Sequence, residues 1–319
     1  MRRELAGSVI VIVGASSGVG RATALAFAEH HAKLVLTARN EHDLATLVQE
    51  CCRLGTDAVA VPGDVASARD LENVRRRANE AFGRIDTWVN CAAVIIAGRV
   101  EDQPVDAIER LVRTNVLGTT LASRTALEQF RSQRHGVLIN VSSLLGVIQN
   151  PLVPTYVMSK YAVRGLSLAL HHATTSPGIR VCTILPGPID TPTFQRAANH
   201  LGRMIRAVPP ACAPERVAAA IVASARRPRR ARIVGLAGRT LALAHRVSPV
   251  TTEWAAARIT AALLVKGRPA EASNGGLFEW NGGGQVHGGW RRGRVRRRLG
   301  EALGKALSRR GATFGAHRC

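Results

Sequence analysis

The 319-residue sequence predicts an α/β protein: a doubly wound parallel sheet of about seven strands, followed by a C-terminal helical and partly disordered extension. Three observations carry this expectation. Short β-branched runs alternate with longer segments of helical periodicity as far as residue 236. The runs are apolar throughout rather than alternately polar, as in strands covered on both faces. Strand–helix repeats of this kind cross over right-handedly and place helices on both sides of one sheet.

Val9-Ile10-Val11-Ile12-Val13 supplies the first strand, and Val19, Ala22, Ala26 and Phe27 recur at helical spacing over residues 18–31. Leu34 to Leu36 forms the second strand, with a helix over 41–54. Ala58 to Val61 forms the third, with a helix over 67–82. Further strands fall at 85–90, 137–141 and 181–185, and a last one at 232–235, so that residues 1–238 make one domain. Residues 239–270 predict amphipathic helices interrupted at Ser248-Pro249. From residue 271 to 319 the chain is first rich in Gly and Asn, with Trp280 and Trp290, and then Arg-rich over 291–310. That composition predicts a poorly ordered tail with no core of its own.

The chain is 46% hydrophobic and 21% charged, which excludes a wholly disordered protein. No apolar run reaches the length of about 18 residues that a membrane-spanning helix requires. Aromatics at 4% are too few for a reader of single strands by base stacking. The net charge of +22 is unevenly spread: residues 226–319 carry 20 basic and 4 acidic side chains, against 24 and 18 in residues 1–225. Such a tail leaves room for weak contact with an anionic surface, aided by the narrow stripe Leu299, Leu303 and Leu307. An Arg-rich soluble end without a partner is the simpler reading, and no specific nucleic acid is expected. The cysteines (Cys51, Cys52, Cys91, Cys182, Cys212 and Cys319) form no metal-binding spacing, so no metal is expected and reduced cytoplasmic thiols are. Met1-Arg2-Arg3 and the apolar run behind it imitate a signal peptide. The run is short, however, and flows directly into a glycine turn.

That turn, Gly14-Ala15-Ser16-Ser17-Gly18-Val19-Gly20, stands where the first strand meets the first helix. In this Rossmann-type setting the glycines serve a tight turn, backbone approach to a pyrophosphate and close helix–strand packing. The helix N-terminus offers free N–H groups to the phosphates. About 20 residues on, an NAD site usually carries a carboxylate for the ribose 2′-hydroxyl. Here the second strand ends in Thr37-Ala38-Arg39-Asn40, with a guanidinium and no carboxylate. Arg39 is suited to a 2′-phosphate, and NADP(H) is therefore expected over NAD(H).

Gly14-x-x-x-Gly18-x-Gly20, Asp64-Val65, Asn90-Cys91-Ala92-Ala93, Asn115, Ser143 and Tyr156-x-x-x-Lys160 follow one another in order. Together they resemble the short-chain dehydrogenase/reductase family over about residues 5–236. Ser143 and Tyr156 keep the family's separation, and Pro186-Gly187 with Ile189-Asp190-Thr191 resembles its segment over the nicotinamide. The resemblance implies an NAD(P)-dependent oxidoreductase acting on a carbonyl or secondary alcohol. It places Ser16, Ser17, Val19, Asp64, Val65, Asn90, Ala92, Pro186, Gly187, Ile189 and Thr191 around the cofactor, Asp64 against the adenine. It also has Lys160 hydrogen-bond the ribose and Asn115 order a water that relays protons to Lys160. The family's habit of pairing through helices matching about 104–131 and 154–176 implies a homodimer or homotetramer. Three positions depart from the pattern: Val13 replaces a threonine, and Cys91 and Ala93 replace an asparagine and a glycine.

The catalytic residues also have a reading of their own. Tyr156 and Lys160 are one helical turn apart and leave the same face. A phenol with a pKa near 10 is a poor base, and an adjacent ammonium is expected to draw it down toward neutrality. Tyr156 would then act as general acid in reduction and base in oxidation. Ser143 would hold the substrate oxygen, a role worth about 3 kcal/mol where charge develops. Taken singly, each is equally a buried tyrosine, a solvated lysine or a helix-capping asparagine, and Ser142 competes with Ser143 for the site.

Ala92, Ala93, Val94, Leu144, Leu145, Val147 and Ile148 are expected to line an apolar substrate pocket. Residues 190–213 would form a short helical lid between proline stops. A non-catalytic NADP-binding regulator and a sugar-nucleotide epimerase or dehydratase are the competing functions.

Overall fold

Five consecutive β-branched residues, Val9–Val13 (β1), are disfavoured in a helix by their restricted χ1 rotamers and form the fully buried centre of the sheet. In the computed structural model, which describes residues 3–174, 178–264 and 268–291, the chain continues through alternating elements. These are α1 (Gly18–Ala28), β2 (Lys33–Thr37), α2 (Glu41–Arg53), β3 (Ala58–Ala60), α3 (Ala68–Phe82) and β4 (Thr87–Asn90). A two-residue strand, β5 (Ile96–Ala97), precedes α4 (Val105–Val112) and α5 (Thr119–Gln133), which a π-helical stretch over Arg113–Gly118 joins. There follow β6 (Gly136–Val141), α6 (Pro154–Ala173), β7 (Ile179–Pro186), β8 (Ala198–Asn199) and α7 (Pro214–Arg226). The described elements end with β9 (Ala231–Val234), α8 (Leu236–Val247) and α9 (Pro249–Leu264).

Seven strands pair in the order β3-β2-β1-β4-β6-β7-β9, all parallel. The order reverses between β1 and β4. Beyond the C-terminal ends of those strands the connections diverge, and a crevice opens between them. Although every residue of β1 is buried, its side chains alternate between two cores. Ile10 and Ile12 pack with Phe27, Leu44, Leu47 and Ile221 on one face. Val11 and Val13 pack with Leu71, Val74, Trp88 and Phe130 on the other. Asn40 and Ser67 cap α2 and α3, accepting from the Asp43 and Asp70 amides at 2.7 and 3.2 Å. Each such cap contributes about 1 kcal/mol.

Two stretches differ from expectation. Residues 190–213 form no helical lid beyond a single 3₁₀ turn, Pro192–Phe194. Their backbone donors are spent sideways instead: Ala198 and His200 donate to Ile95 and Ala97 at 3.0 and 2.7 Å, and Asn199 to Ser273 at 2.7 Å. Residues 268–291, expected to lack a core, lie across the crevice mouth. Leu277 is 1% exposed in a cluster with Ile96, Ala107, Leu111 and Ala198. The glycines that made this segment look unstructured let its backbone lie flush on the domain. A Cβ on Gly275, whose φ is +51°, or on Gly288 would overlap the carbonyls of Arg196 and Thr191 respectively. The Arg-rich stretch with Leu299, Leu303 and Leu307 lies outside the described residues.

Candidate active site

The first part of the site is the turn after β1. Gly14 and Gly18 have φ of +84° and +52°, the left-handed region that favours glycine. A Cβ on Gly14 would sit 2.5 Å from the Ala92 amide nitrogen, and one on Gly20 would overlap the Gly14 carbonyl. Beneath the turn lies Arg21, 4% exposed, which donates to the Ser16 and Asp43 carbonyls and to Glu50 at 2.9 Å. Periodicity did not single it out, because an arginine among apolar helix positions reads as a solvated charge. Over the turn, Arg196 donates to the Ser17 hydroxyl at 3.0 Å and stacks on Trp280 at 4.3 Å.

A crevice of about 360 Å³ runs along these elements. It is lined by Gly14, Ser16, Ser17, Gly18, Val19, Gly20, Arg39, Asp64, Val65 and Ala92, then by Ser143, Tyr156, Lys160, Pro186, Gly187, Ile189 and Thr191. Two expected residues do not line it. Asn90 is 4% exposed and spends its side chain between strands, accepting from Trp88 at 2.9 Å and donating to Asn140 at 2.8 Å. Asn115 is 1% exposed, in the π-helical stretch. Its Oδ1 accepts from the Val94 amide at 2.8 Å, and its Nδ2 donates to the Val94 carbonyl at 2.9 Å and to Ser159 at 3.0 Å. Both residues therefore hold the crevice wall from behind.

At the far end of β6 the two serines separate. Ser142 donates to the Lys160 carbonyl at 2.8 Å, within the fold. The Ser143 hydroxyl instead lies in the crevice wall with the Tyr156 phenol, near enough to favour its ionised form, and accepts from the Leu145 amide at 3.1 Å. Lys160 lies with Nζ 5.5 Å from the Tyr156 ring centroid and donates to the Val141 carbonyl at 3.2 Å. The electrostatics differ from the sequence expectation. Burial pushes the Tyr156 phenol up from its ordinary value, and the nearby Ser143 hydroxyl only partly offsets it. Burial likewise lowers Lys160 to about 8. Desolvation penalises the phenolate and the ammonium alike, and it is the largest cause of both shifts.

At the opposite end, Asp64 accepts from Arg110 at 2.7 Å and from the Ala66 amide at 2.9 Å. Burial alone would raise its carboxyl, but the Ala66 amide and Arg110 outweigh that and hold it below the ordinary value. Arg110, unremarkable on a polar helix in the sequence, becomes a wall of the site only through the fold. Thr114 also lines the crevice, and its buried Oγ1 has no hydrogen-bond partner. Gly187 lines it too, and a Cβ there would meet no protein atom within 4 Å. An unpartnered hydroxyl, a bare glycine wall, a helix N-terminus and cations at one end fit an elongated, anionic dinucleotide.

Beyond Tyr156 the walls are mostly apolar, with Ala93, Val94, Leu144, Leu145, Ile148, Phe194, Leu201, Ile205, Val208 and Leu241, and with Gln149, Asn150 and Arg206 among them. Val147 is not among them; its carbonyl accepts from the Tyr161 hydroxyl at 2.6 Å. Among the described residues there is no group of His, Cys, Asp and Glu that could hold a metal, and no helix long and apolar enough to cross a membrane.

Known proteins share this arrangement. Residues 8–201 match the family described as short chain dehydrogenase. The chain is 35% identical over 260 residues to the uncharacterized oxidoreductase YxnA of Bacillus subtilis, covering 79% of this chain and 72% of that protein. It is 35% identical to the 2,5-dichloro-2,5-cyclohexadiene-1,4-diol dehydrogenase LinX of Sphingobium indicum, over 60% of this chain and 77% of that one. Its fold superposes on an alcohol dehydrogenase from the archaeon Thermococcus sibiricus, complexed with 5-hydroxy-NADP, with a TM-score of 0.63. That alignment is 24% identical and covers 72% of this chain and 97% of the other.

Proposed function

The chain belongs to the short chain dehydrogenase family, and from that premise we propose that it interconverts an apolar carbonyl compound and its secondary alcohol, with Tyr156 as proton donor and acceptor and NADP(H) as preferred cofactor. An NAD(P)-dependent dehydrogenase/reductase is the class; the proton donor, the cofactor preference and the substrate type are the proposal. The observation that carries it is the meeting of Ser143, Tyr156 and, one helical turn after Tyr156, Lys160 in the wall of a crevice that begins at the glycine turn.

The nicotinamide, when bound, supplies or takes the hydride at the reacting carbon. The protein's part is positioning and proton transfer. Ser143 donates to the substrate oxygen where charge develops, and Tyr156 gives that oxygen its proton in reduction and recovers it in oxidation. Lys160, buried and within reach of the phenol, stabilises Tyr156 whenever it loses the proton. The Lys160 ammonium also faces the space where a ribose would lie. Phe194, Leu201, Leu144 and Ile148 exclude water from the reacting end and favour a lipophilic substrate.

Arg39 and the absence of a carboxylate after β2 support NADP(H). An intact Ser143–Tyr156–Lys160 set weighs against a non-catalytic regulator. The described residues after β9 form helices and a strap rather than a sugar-binding domain, which weighs against an epimerase. Exposed Val105, Leu117, Met158 and Tyr161 on α4, the π-helical stretch and α6 support a homodimer or homotetramer through those elements. The deciding experiment follows NADPH and NADH oxidation across ketones, aldehydes, steroids and acyl ketones. Turnover that disappears in Tyr156→Phe is expected, and turnover undiminished in that variant would overturn the reading.

A further inference from the structure

The strap formed by residues 276–290 follows the crevice from end to end. Its first stretch seats on Arg39, whose Nη1 donates to the Leu277 and Phe278 carbonyls at 3.2 and 2.9 Å and whose Nη2 donates to the Gly276 carbonyl at 2.9 Å. Arg110 adds a bond from Nε to the Leu277 carbonyl at 3.3 Å. Leu277 itself is buried beneath, in the cluster with Ile96 and Leu111. Farther on, the Gly18 amide donates to the Gln285 carbonyl at 2.9 Å. Trp290 closes the far end, donating from its amide to Asp190 at 2.7 Å and from its indole to the Thr191 carbonyl at 2.9 Å.

Both terminal nitrogens of the guanidinium assigned above to a 2′-phosphate are thus engaged by three carbonyl oxygens. Those oxygens point the negative ends of their dipoles into the space a phosphate on Arg39 would occupy. Three of the five guanidinium N–H groups are spent in this way, so a phosphate takes the Nη1–Nη2 edge only by displacing the carbonyls. The phosphate bond is charge-assisted on both sides and is the stronger competitor. A ribose 2′-hydroxyl makes no such demand, since it is a donor as well as an acceptor and suits a carbonyl neighbour.

We propose that the 276–278 stretch and the cofactor's 2′-phosphate compete for Arg39, so that the stretch stays seated over NAD(H), must leave for NADP(H), and when seated narrows the preference for NADP(H). The inference rests on the cofactor site of the proposed function. Between this stretch and the Gln285 and Trp290 fastenings, the Gly283 carbonyl accepts from Arg196 and Gly284 packs against Arg21, so the Arg39 contact and these later contacts are separate.

The test uses the full-length chain and titrates NADPH and NADH by nicotinamide fluorescence in the wild type, Leu277→Asp, Arg39→Ala and the double variant. Leu277→Asp is expected to raise the NADPH-over-NADH affinity ratio about tenfold, an ordinary coupling between two competing occupants. The rise should vanish in the Arg39→Ala background. An unchanged or lowered ratio in Leu277→Asp would overturn the inference. Should that variant fold poorly, Leu277→Ala and hydrogen exchange on the unmodified protein decide the matter. NADPH, relative to NADH, should speed amide exchange across residues 274–280, and equal protection by the two cofactors would overturn the competition. Binding of neither cofactor by the wild type would instead overturn the oxidoreductase reading and this inference with it.

Discussion

Ser143 lies two residues past the end of β6 and Tyr156 in the first turn of α6, and both side chains line the same crevice, with Ser143 near enough to favour the ionised form of the phenol. Two groups from different elements thereby converge on one point where a substrate oxygen would sit. Removing the phenolic proton in Tyr156→Phe is expected to lower kcat by about 10²–10⁴-fold, the usual worth of general acid–base catalysis. Ser143→Ala should cost about 10²–10³-fold, as loss of a preorganised donor does. Steady-state kinetics with any accepted ketone check both, and near-wild-type rates in either variant would contradict the assigned roles.

Burial of the Lys160 ammonium is expected to cost stability. It lowers the Lys160 pKa from 10.5 to about 8, and a fall of that size corresponds to about 3 kcal/mol of unfavourable burial of the charge. Between those values the unfolded chain holds a proton that the folded chain has released, so stability rises with pH across that window; below about 8 the penalty is in full force. Lys160→Met should therefore gain up to about 3 kcal/mol at pH 7, less about 1 kcal/mol for the lost bond to Val141. The gain should shrink toward pH 10 while catalysis is lost at every pH. Urea unfolding of both proteins at pH 7 and pH 10 measures it, and a gap that widens with pH would refute the sign.

Most of the sheet was legible because its strands are short, largely apolar runs between helical segments, and the glycine turn because it follows directly on the β-branched run of β1. Many of the residues that line the crevice follow the C-terminal ends of strands, where sequence order fixes their place, and Tyr156 and Lys160 share one face at the start of α6. Arg110 and Arg21 on helices and Arg196 in a loop were not legible, since a single arginine carries no sign of what the fold will bring opposite it. The segment from 268 to 291 misled for a physical reason. Glycine-rich composition describes a chain that is free, and equally one pressed too closely against its neighbour for any Cβ. Tyr156 was found but its environment was not, because desolvation depends on what surrounds a side chain in three dimensions.

The glycine turn gives a sharp stability and binding prediction. Gly14→Ala would place a Cβ 2.5 Å from the Ala92 amide nitrogen at a φ of +84°. The backbone conformation alone costs about 1–2 kcal/mol for a residue with a Cβ, and the overlap must be relieved by moving β1 away from the Cys91–Ala92 stretch. Cofactor affinity should fall by more than tenfold together with thermal stability. By contrast, Gly83→Ala also has a φ of +77° but meets no atom within 4 Å, and it should cost stability alone. Calorimetry and cofactor titration on the two variants separate strain from lost approach; equal cofactor binding by both would remove the turn from the binding site.

Asn115 provides the last prediction, because its side chain makes three bonds that nothing else in the neighbourhood replaces. Its oxygen takes the Val94 amide, and its nitrogen gives to the Val94 carbonyl and to Ser159, all within 3.0 Å. These bonds clip the chain after β4 to the π-helical stretch and so set the distance between the Ala92–Val94 wall and Tyr156. In Asn115→Ala the half-buried Val94 groups lose their partner, at about 1 kcal/mol each. The urea midpoint should fall while the denaturant slope stays constant, as for a loss of stability without loss of compactness. Asn115→Asp keeps the acceptor for the Val94 amide but loses both donors, and it should be at least as damaging because it buries a charge. If the residue acts by holding the wall, the KM for substrate should rise along with the loss of kcat, since a displaced Val94 alters the apolar end of the crevice. A fall in kcat alone, with KM and stability unchanged, would point instead to a direct part in proton transfer.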